Sequence, residues 1–427
     1  MSSSFSEGET SGCAEYQSVS RRRFLGNTAA CLAAASLPAW LPSVSMAQTQ
    51  NSTRDIVVSV FMRGGADGLT LVAPFADPAY YIARPTQAVP RPDSNSPNRG
   101  RALNDFFMLP PGMFSLLPAY QSGDLLIVHA AGQMGTQSRS HFEAERYLEQ
   151  GKPEDYSINS GWVARHLATM APLDPRTSLR GVSITSGLPR TMVGGPRTLP
   201  IPNPAGYTLN TPSELALKRL FGSAWGPLKN GALDGLDTVN LLRSLDFNGY
   251  RGANGATYAN NQLGQAMKSI AVMIKGEIGI EAAHVDYGGW DTHAQQGSVG
   301  GAMASLMTDF SGALAAFWQD LMQGPINTRV TLVVATEFGR NVRENGTMGT
   351  DHGRAGVMFA MGRNIAGGRV LTTWPGLDRA QLEDGQDLRV TIDTRDILAE
   401  IVKNRLGNPN VSTIFPDYTP RFRGITK

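Results

Sequence analysis

The sequence has very little cysteine, with only Cys13 and Cys31 among 427 residues. It also lacks an excess of either charge, since 38 Lys and Arg face 36 Asp and Glu for a net charge of +2. That balance excludes the basic footprint of a phosphate-backbone binder, so no nucleic-acid partner is expected. No fixed period organises its 47 Gly and 26 Pro, which excludes collagen and repeat arrays and implies many turns and long loops. No long uninterrupted apolar run is present either: the alanine-rich stretch 27–40 is cut by Pro38, and Pro42 follows, leaving it short for a bilayer span. What remains is 41% hydrophobic and only 17% charged, a composition with a real interior and room for one large core or two ordinary ones.

That apolar stretch follows Ser20-Arg21-Arg22-Arg23-Phe24-Leu25 and precedes Ser45-Met46-Ala47, a small-x-small cleavage pattern. Residues 1–47 therefore read as a twin-arginine signal peptide, with a signal anchor as the alternative. The expected location is periplasmic or extracellular, with the twin-arginine translocase as partner during export of the folded chain. Cleavage after Ala47 would remove both cysteines, leaving no disulfide, thiol nucleophile or Cys-ligated zinc. Any chemistry then rests on hydroxyls, carboxylates, imidazoles and metal.

β-Branched apolar runs predict strands near 55–62, 124–130, 181–185, 280–285, 329–335 and 356–361. Between them, helical spacing or capping patterns predict helices over 113–120, 138–149, 159–170, 262–278, 302–321 and 396–406. This alternation specifies an α/β fold with a doubly wound, mostly parallel sheet, forming a single domain over 48–427. Residues 186–256 read as a loop-rich insertion with helices near 213–221 and 234–245.

Polar residues concentrate just beyond those strands, where α/β folds place their chemistry. Asp67 follows the first strand, and Ser138, Ser140 and His141 follow the second. Asp286, Asp291 and His293 follow the strand near 280–285, Glu337 and Arg340 the next, and Asp351, His352 and Arg354 precede the last. Carboxylates and imidazoles without cysteine suit Zn²⁺, Mn²⁺ or Mg²⁺. Asp291, His293, Glu337, Asp351, His352 and Asp67 are the candidate ligands. Short Asp/His pairs also serve as turn caps and loop anchors, and Asp67 in a Gly-flanked turn has that second use. Ser140, with His141 beside it, is a candidate nucleophile at a helix N-terminus; its commoner use would be a plain N-cap, and Ser138 is the substitute for either role. Arg340 and Arg354 are candidate anion clamps, or else structural ion pairs with Glu337 or Asp351. Trp290 either lines a substrate pocket or packs in the core. His129 reads as a hydrogen-bonded core histidine, and His166 and His284 carry no assigned role.

The segments at 60–69 (VFMRGGADGL), 140–144 (SHFEA), 288–293 (GGWDTH), 336–340 (TEFGR) and 350–354 (TDHGR) resemble the exported bacterial family called domain of unknown function 1501. The resemblance runs over about 54–423. It implies an alkaline-phosphatase-like fold, a branch of the alkaline phosphatase and sulfatase superfamily, with a hydroxyl nucleophile at a helix N-terminus and usually two metal ions. On that resemblance Ser140 stands as nucleophile, Asp291 and His293 as one ligand pair and His352 as the last metal histidine. Where the superfamily has Asp-His after the penultimate strand, this chain has Glu337-Phe338, so the expected divalent ions number one or two. No Cys/Ser-x-Pro-x-Arg signature is present, which disfavours a formylglycine sulfatase.

The function expected from all this is metal-dependent hydrolysis of a phosphoester, on a small-molecule or glycan ester, through Ser140. The alternatives are a non-catalytic envelope protein binding a glycan or anionic ligand, and a sulfate-ester hydrolase.

Overall fold

The computed structural model describes residues 54–208, 214–223, 225–324 and 329–427. The expected signal peptide, residues 1–47 with its arginines and both cysteines, lies outside the described residues. Eleven strands are described: β1 (Ile56–Met62), β2 (Arg101–Ala102), β3 (Met108–Leu109), β4 (Leu125–Gly132), β5 (Gly181–Ser183), β6 (Thr198–Pro200), β7 (Ala282–Tyr287), β8 (Val330–Ala335), β9 (Gly356–Met361), β10 (Arg369–Leu371) and β11 (Ile392–Asp393). Nine form one sheet in the order β10-β4-β9-β8-β1-β7-β5-β6, with β11 beside β4, while β2 and β3 pair separately. Every pairing in the large sheet is parallel except those of β9, which runs against both β4 and β8. The mixed α/β fold with a mostly parallel sheet agrees with the sequence expectation.

A central parallel strand is covered on both faces, so it must be apolar on both. In β1, Val58, Val60 and Met62 enter one core cluster and Val57 the other. The longer helices supply those covers. They are α1 (His141–Gln150), α2 (Trp162–Thr169), α3 (Glu214–Gly222), α4 (Gly226–Arg243), α5 (Gln262–Lys275), α6 (Ala302–Leu321) and α7 (Thr394–Asn404), with α3 the exception in burying no residue. Leu263, Met267, Ile270 and Ile274 of α5 and Phe310, Leu314 and Phe317 of α6 fill the first cluster. Trp162 and Leu167 of α2 and Ile397, Ile401 and Val402 of α7 fill the second.

The stretch 186–256 is more integrated than a loop-rich insertion. It supplies β6, the parallel edge strand beside β5, as well as α3 and α4. Strand β6 has little β-branched content, so no apolar run announced it. The strands β10 and β11, three and two residues long, are too short to form an apolar run in the sequence.

Register builds the site. Phe61 of β1 lies level with Asp286 of β7 and with Ala335 of β8, so the segments leaving all three strands emerge side by side. Strand β4 points the same way and its Ala131 is level with Gly356, the first residue of antiparallel β9. Residues 63–67, 133–141, 288–293, 336–340 and 351–354 therefore meet at one sheet edge.

Candidate metal centre

Three imidazoles and one carboxylate converge there. His141 opens α1, Asp291 and His293 follow β7, and His352 precedes β9. The ligand atoms of His141, Asp291 and His352 all lie within 4.8 Å of one another. Asp291 Oδ1 is 3.0 Å from His293 Nε2 and 3.2 Å from His352 Nε2, and those two nitrogens are 3.0 Å apart. Asp291 Oδ2 is 3.6 Å from His141 Nε2, which is buried and has no hydrogen-bond partner.

The outer nitrogen of each ring is already committed. His141 Nδ1 meets Glu337 Oε1 at 2.7 Å, His293 Nδ1 meets Asp351 Oδ1 at 2.9 Å, and His352 Nδ1 donates to the Arg139 carbonyl at 2.8 Å. A carboxylate or carbonyl on Nδ1 fixes the hydrogen there and turns the Nε2 lone pair inward, the arrangement found behind metal-bound histidines. Lone pairs from two imidazoles and a carboxylate oxygen at about 3 Å need an electron-poor atom among them. The donor set and the orphaned His141 Nε2 thus fit a divalent cation held by His141, Asp291, His293 and His352.

Glu337 sits one step behind. Its Oε1 also accepts from the Gly64 backbone at 2.8 Å and its Oε2 from Thr336 Oγ1 at 2.9 Å, so it supports His141, and with His141 and Glu145 it forms a second group whose ligand atoms all lie within 4.8 Å of one another. Phe338 packs between imidazoles, 4.9 Å from the His141 ring centre and 4.8 Å from that of His352. Gly65 makes room for it: its φ is +64° and a Cβ there would lie 2.4 Å from the Phe338 ring. Gly64 is constrained equally, since its Cβ would lie 2.6 Å from the Asp291 nitrogen.

The electrostatics follow from these contacts. Burial would lower His141, yet Asp291 and Glu337 outweigh it and push the imidazole up to about 9. His293 is raised, chiefly by its bond to Asp291. Burial would raise Asp291, but the three histidines and Arg340 hold it far below the usual carboxylate range. Protons on imidazoles thus stand in for the cation in the metal-free protein.

The remaining sequence candidates sort differently. Ser140 caps α1 by position but its side chain makes no capping bond; Ser138 Oγ instead donates to Glu143 Oε2 at 2.7 Å and accepts from the Ser140 nitrogen at 3.2 Å. Ser140 therefore keeps the N-cap position without the capping bond, and Ser138 braces the turn that leads into α1. Arg340 is 1% exposed and its guanidinium donates to the carbonyls of Gly64, Gly65, Trp290 and Thr350 and to Asp291 Oδ1 at 2.6 Å. Expected as an anion clamp, it instead ties three loops together and pairs with Asp291, not with Glu337. Arg354 pairs with Glu383 at 3.3 Å rather than with Asp351. Asp67 lies outside the convergent ligand groups among the described residues. Both of its oxygens are bonded to Arg84, with Thr70 and Gln296 adding to Oδ2. Trp290 packs edge-on against Tyr287 and Phe310 at 1% exposure, a core residue rather than a pocket wall.

A second buried network lies behind the first and was not foreseen. Arg63 binds Asp286 at 2.7 Å, Glu145 at 2.9 Å and Glu149 at 3.1 Å. Burial pushes Glu145 up to about 7. The signal was present in the i, i+4, i+8 spacing of His141, Glu145 and Glu149, which puts all three on one face of α1.

Residues 230–411 match the family model described as "Protein of unknown function (DUF1501)". The segments 288–293, 336–340 and 350–354 fall inside that match, which bears out the resemblance read from them. Three solved structures are similar. They are the C-terminal periplasmic domain of EcEptC from Escherichia coli in complex with Zn (9% identity, 76% of this chain and 78% of that one, TM-score 0.32); a protein in the alkaline phosphatase superfamily from Vibrio parahaemolyticus (11%, 82% and 71%, 0.35); and phosphonate monoester hydrolase of Agrobacterium radiobacter (10%, 86% and 79%, 0.32). No curated protein matches it.

Proposed function

We propose that the protein is an exported, metal-dependent phosphoester hydrolase with Ser140 as its nucleophile. The observation that carries this reading is the convergence of three Nε2 atoms on Asp291, each imidazole oriented by an acceptor on Nδ1. His141, Asp291, His293 and His352 would hold one divalent ion, Zn²⁺, Mn²⁺ or Mg²⁺. Such an ion supplies Lewis acidity toward a phosphoryl oxygen and favours the ionised form of a nearby hydroxyl.

The chain's own groups supply the rest. Ser140 stands at the N-terminus of ten-residue α1, where unpaired backbone N–H groups favour negative charge, and its hydroxyl is not spent on capping. In the proposed reaction Ser140 Oγ gives up its proton and forms a bond to phosphorus while the bond to the departing alcohol oxygen breaks and that oxygen takes a proton. Water then cleaves the phosphoserine, releasing the phosphoryl group and restoring the hydroxyl. Glu337 and Asp351 hold the imidazoles in place throughout, and Phe338 restricts water on their inner side.

Export rests on the segment 1–47. No helix among the described residues is long and apolar enough to cross a membrane. The test is elemental analysis of the folded protein together with a panel of phosphomonoesters, phosphodiesters and sulfate esters, repeated on Ser140→Ala and His352→Ala. The reading requires about one bound ion per chain, lost in His352→Ala, and turnover lost in both variants. Bound metal without turnover of any ester would favour the alternative, an envelope protein that binds an anionic or glycan ligand.

A further inference from the structure

Resting on the hydrolase reading, we infer that the ester taken by this site is singly charged, a phosphodiester-type monoanion, rather than a doubly charged phosphomonoester. The argument is the state of the arginines. A phosphomonoester dianion is normally met by guanidinium groups free to bind it bidentately. Here each arginine that hydrogen bonds tie to the site's loops already has a carboxylate. Arg340 holds Asp291, and Arg354 holds Glu383. Arg139, whose carbonyl orients His352, pairs with Asp387 and Asp384. Arg63 holds Asp286, Glu145 and Glu149. Arg343 is exposed and makes no hydrogen bond or ion pair with a site residue among the described residues.

Charge counting gives the same answer. Asp291, Glu337 and Asp351 oppose Arg340 around the imidazoles, so one divalent ion brings this group to neutrality. A dianion would then add two charges with no cation to meet the second. What is left to receive an anion is the N-terminus of α1, equivalent to about half a positive charge. Asp351, 57% exposed and bonded to His293, stands at the open side and repels a second negative charge.

The test compares bis(4-nitrophenyl) phosphate with 4-nitrophenyl phosphate on the metal-loaded full chain, reading kcat/KM. The diester is expected to be favoured by about tenfold or more. A second arm, independent of turnover, measures binding of diethyl phosphate and inorganic phosphate by calorimetry; the doubly charged ion should bind no more tightly. Glu383→Gln, which removes the acid paired with Arg354, should move the preference several-fold toward the monoester, whereas Arg343→Ala should leave it unchanged. Monoester turnover equal to or faster than diester turnover would overturn the inference while leaving the hydrolase reading intact. Metal binding with no turnover of either ester would overturn the hydrolase reading and this inference with it.

Discussion

Replacing Glu337 by Gln isolates the coupling between the buried carboxylate and His141. The amide keeps the shape: its oxygen still accepts from Gly64 and from His141 Nδ1, and its NH2 can donate to Thr336 Oγ1, which turns its own hydrogen to the Met62 carbonyl 2.9 Å away. Only the charge is lost. In the metal-free protein His141 is raised from about 6.5 to about 9, so its ionised form adds stability that is complete below the unfolded value and vanishes as pH rises through 9. At 1.36 kcal/mol per unit this is about 3 kcal/mol, and the side chain is only 5% exposed, so solvent screening removes little of it. Asp291 and Glu337 share the effect, and a charge-assisted hydrogen bond contributes about 1.5–3 kcal/mol, so Glu337→Gln should cost roughly that near pH 6. Near about pH 10 the imidazole is neutral in both proteins while the wild type still buries an unneutralised carboxylate, so the variant should cost little or even stabilise. Urea denaturation midpoints in the presence of a chelator, together with the His141 ring resonance followed against pH, measure both parts. An equal destabilisation at the two pH values, or an unmoved His141 titration, would refute the coupling.

Ser138→Ala should lower stability by about 1 kcal/mol through loss of its hydrogen bonds to Glu143 and to the Ser140 nitrogen, and Ser140→Ala by less than about 0.5 kcal/mol while abolishing turnover; thermal melts and ester assays on the same samples separate the two serines. Gly65→Ala should destabilise by about 1–3 kcal/mol, because its Cβ would lie 2.4 Å from the Phe338 ring at a φ of +64°, and a melting temperature equal to wild type would count against that contact. Removing bound metal with a chelator should lower stability by about 4 kcal/mol if the ion was present at a thousand times its dissociation constant, read as a fall in melting temperature that re-added metal restores. Burial holds His129 down to about 4, so its ring resonance should stay that of the neutral form as pH falls past 6.5. Its contribution to acid destabilisation should then develop between 6.5 and 4, and a midpoint near 6.5 would refute its burial.

How much of this could be read in the chain depends on what each feature rests on. Helix α6 was legible to the residue because a 20-residue apolar stripe carries its own period, and β1 because a central parallel strand must be apolar on both faces. The convergence of Asp291, His293, His352 and His141 was legible from position alone, since strand ends of like direction share one sheet edge. Roles within the cluster were not legible. A motif such as Asp291-Thr292-His293 fixes which residues arrive but not which atoms face each other, and the outcome turns on partners more than 50 residues away, Asp351 for His293 and the Arg139 carbonyl for His352. Arginine shows the limit most sharply. Arg340 and Arg354 look alike in sequence, each closing a polar turn, and both suit an anion. In the fold, Arg340 has five acceptors within reach at 1% exposure and each of its three nitrogens is bonded, because loops built from Gly64, Gly65 and Thr350 present their carbonyls inward and something cationic must satisfy them. The same residue types that would have marked a phosphate clamp are consumed in holding His141, Asp291, His293 and His352 in register, so on the proposed reading the positive charge of the site comes from the ion.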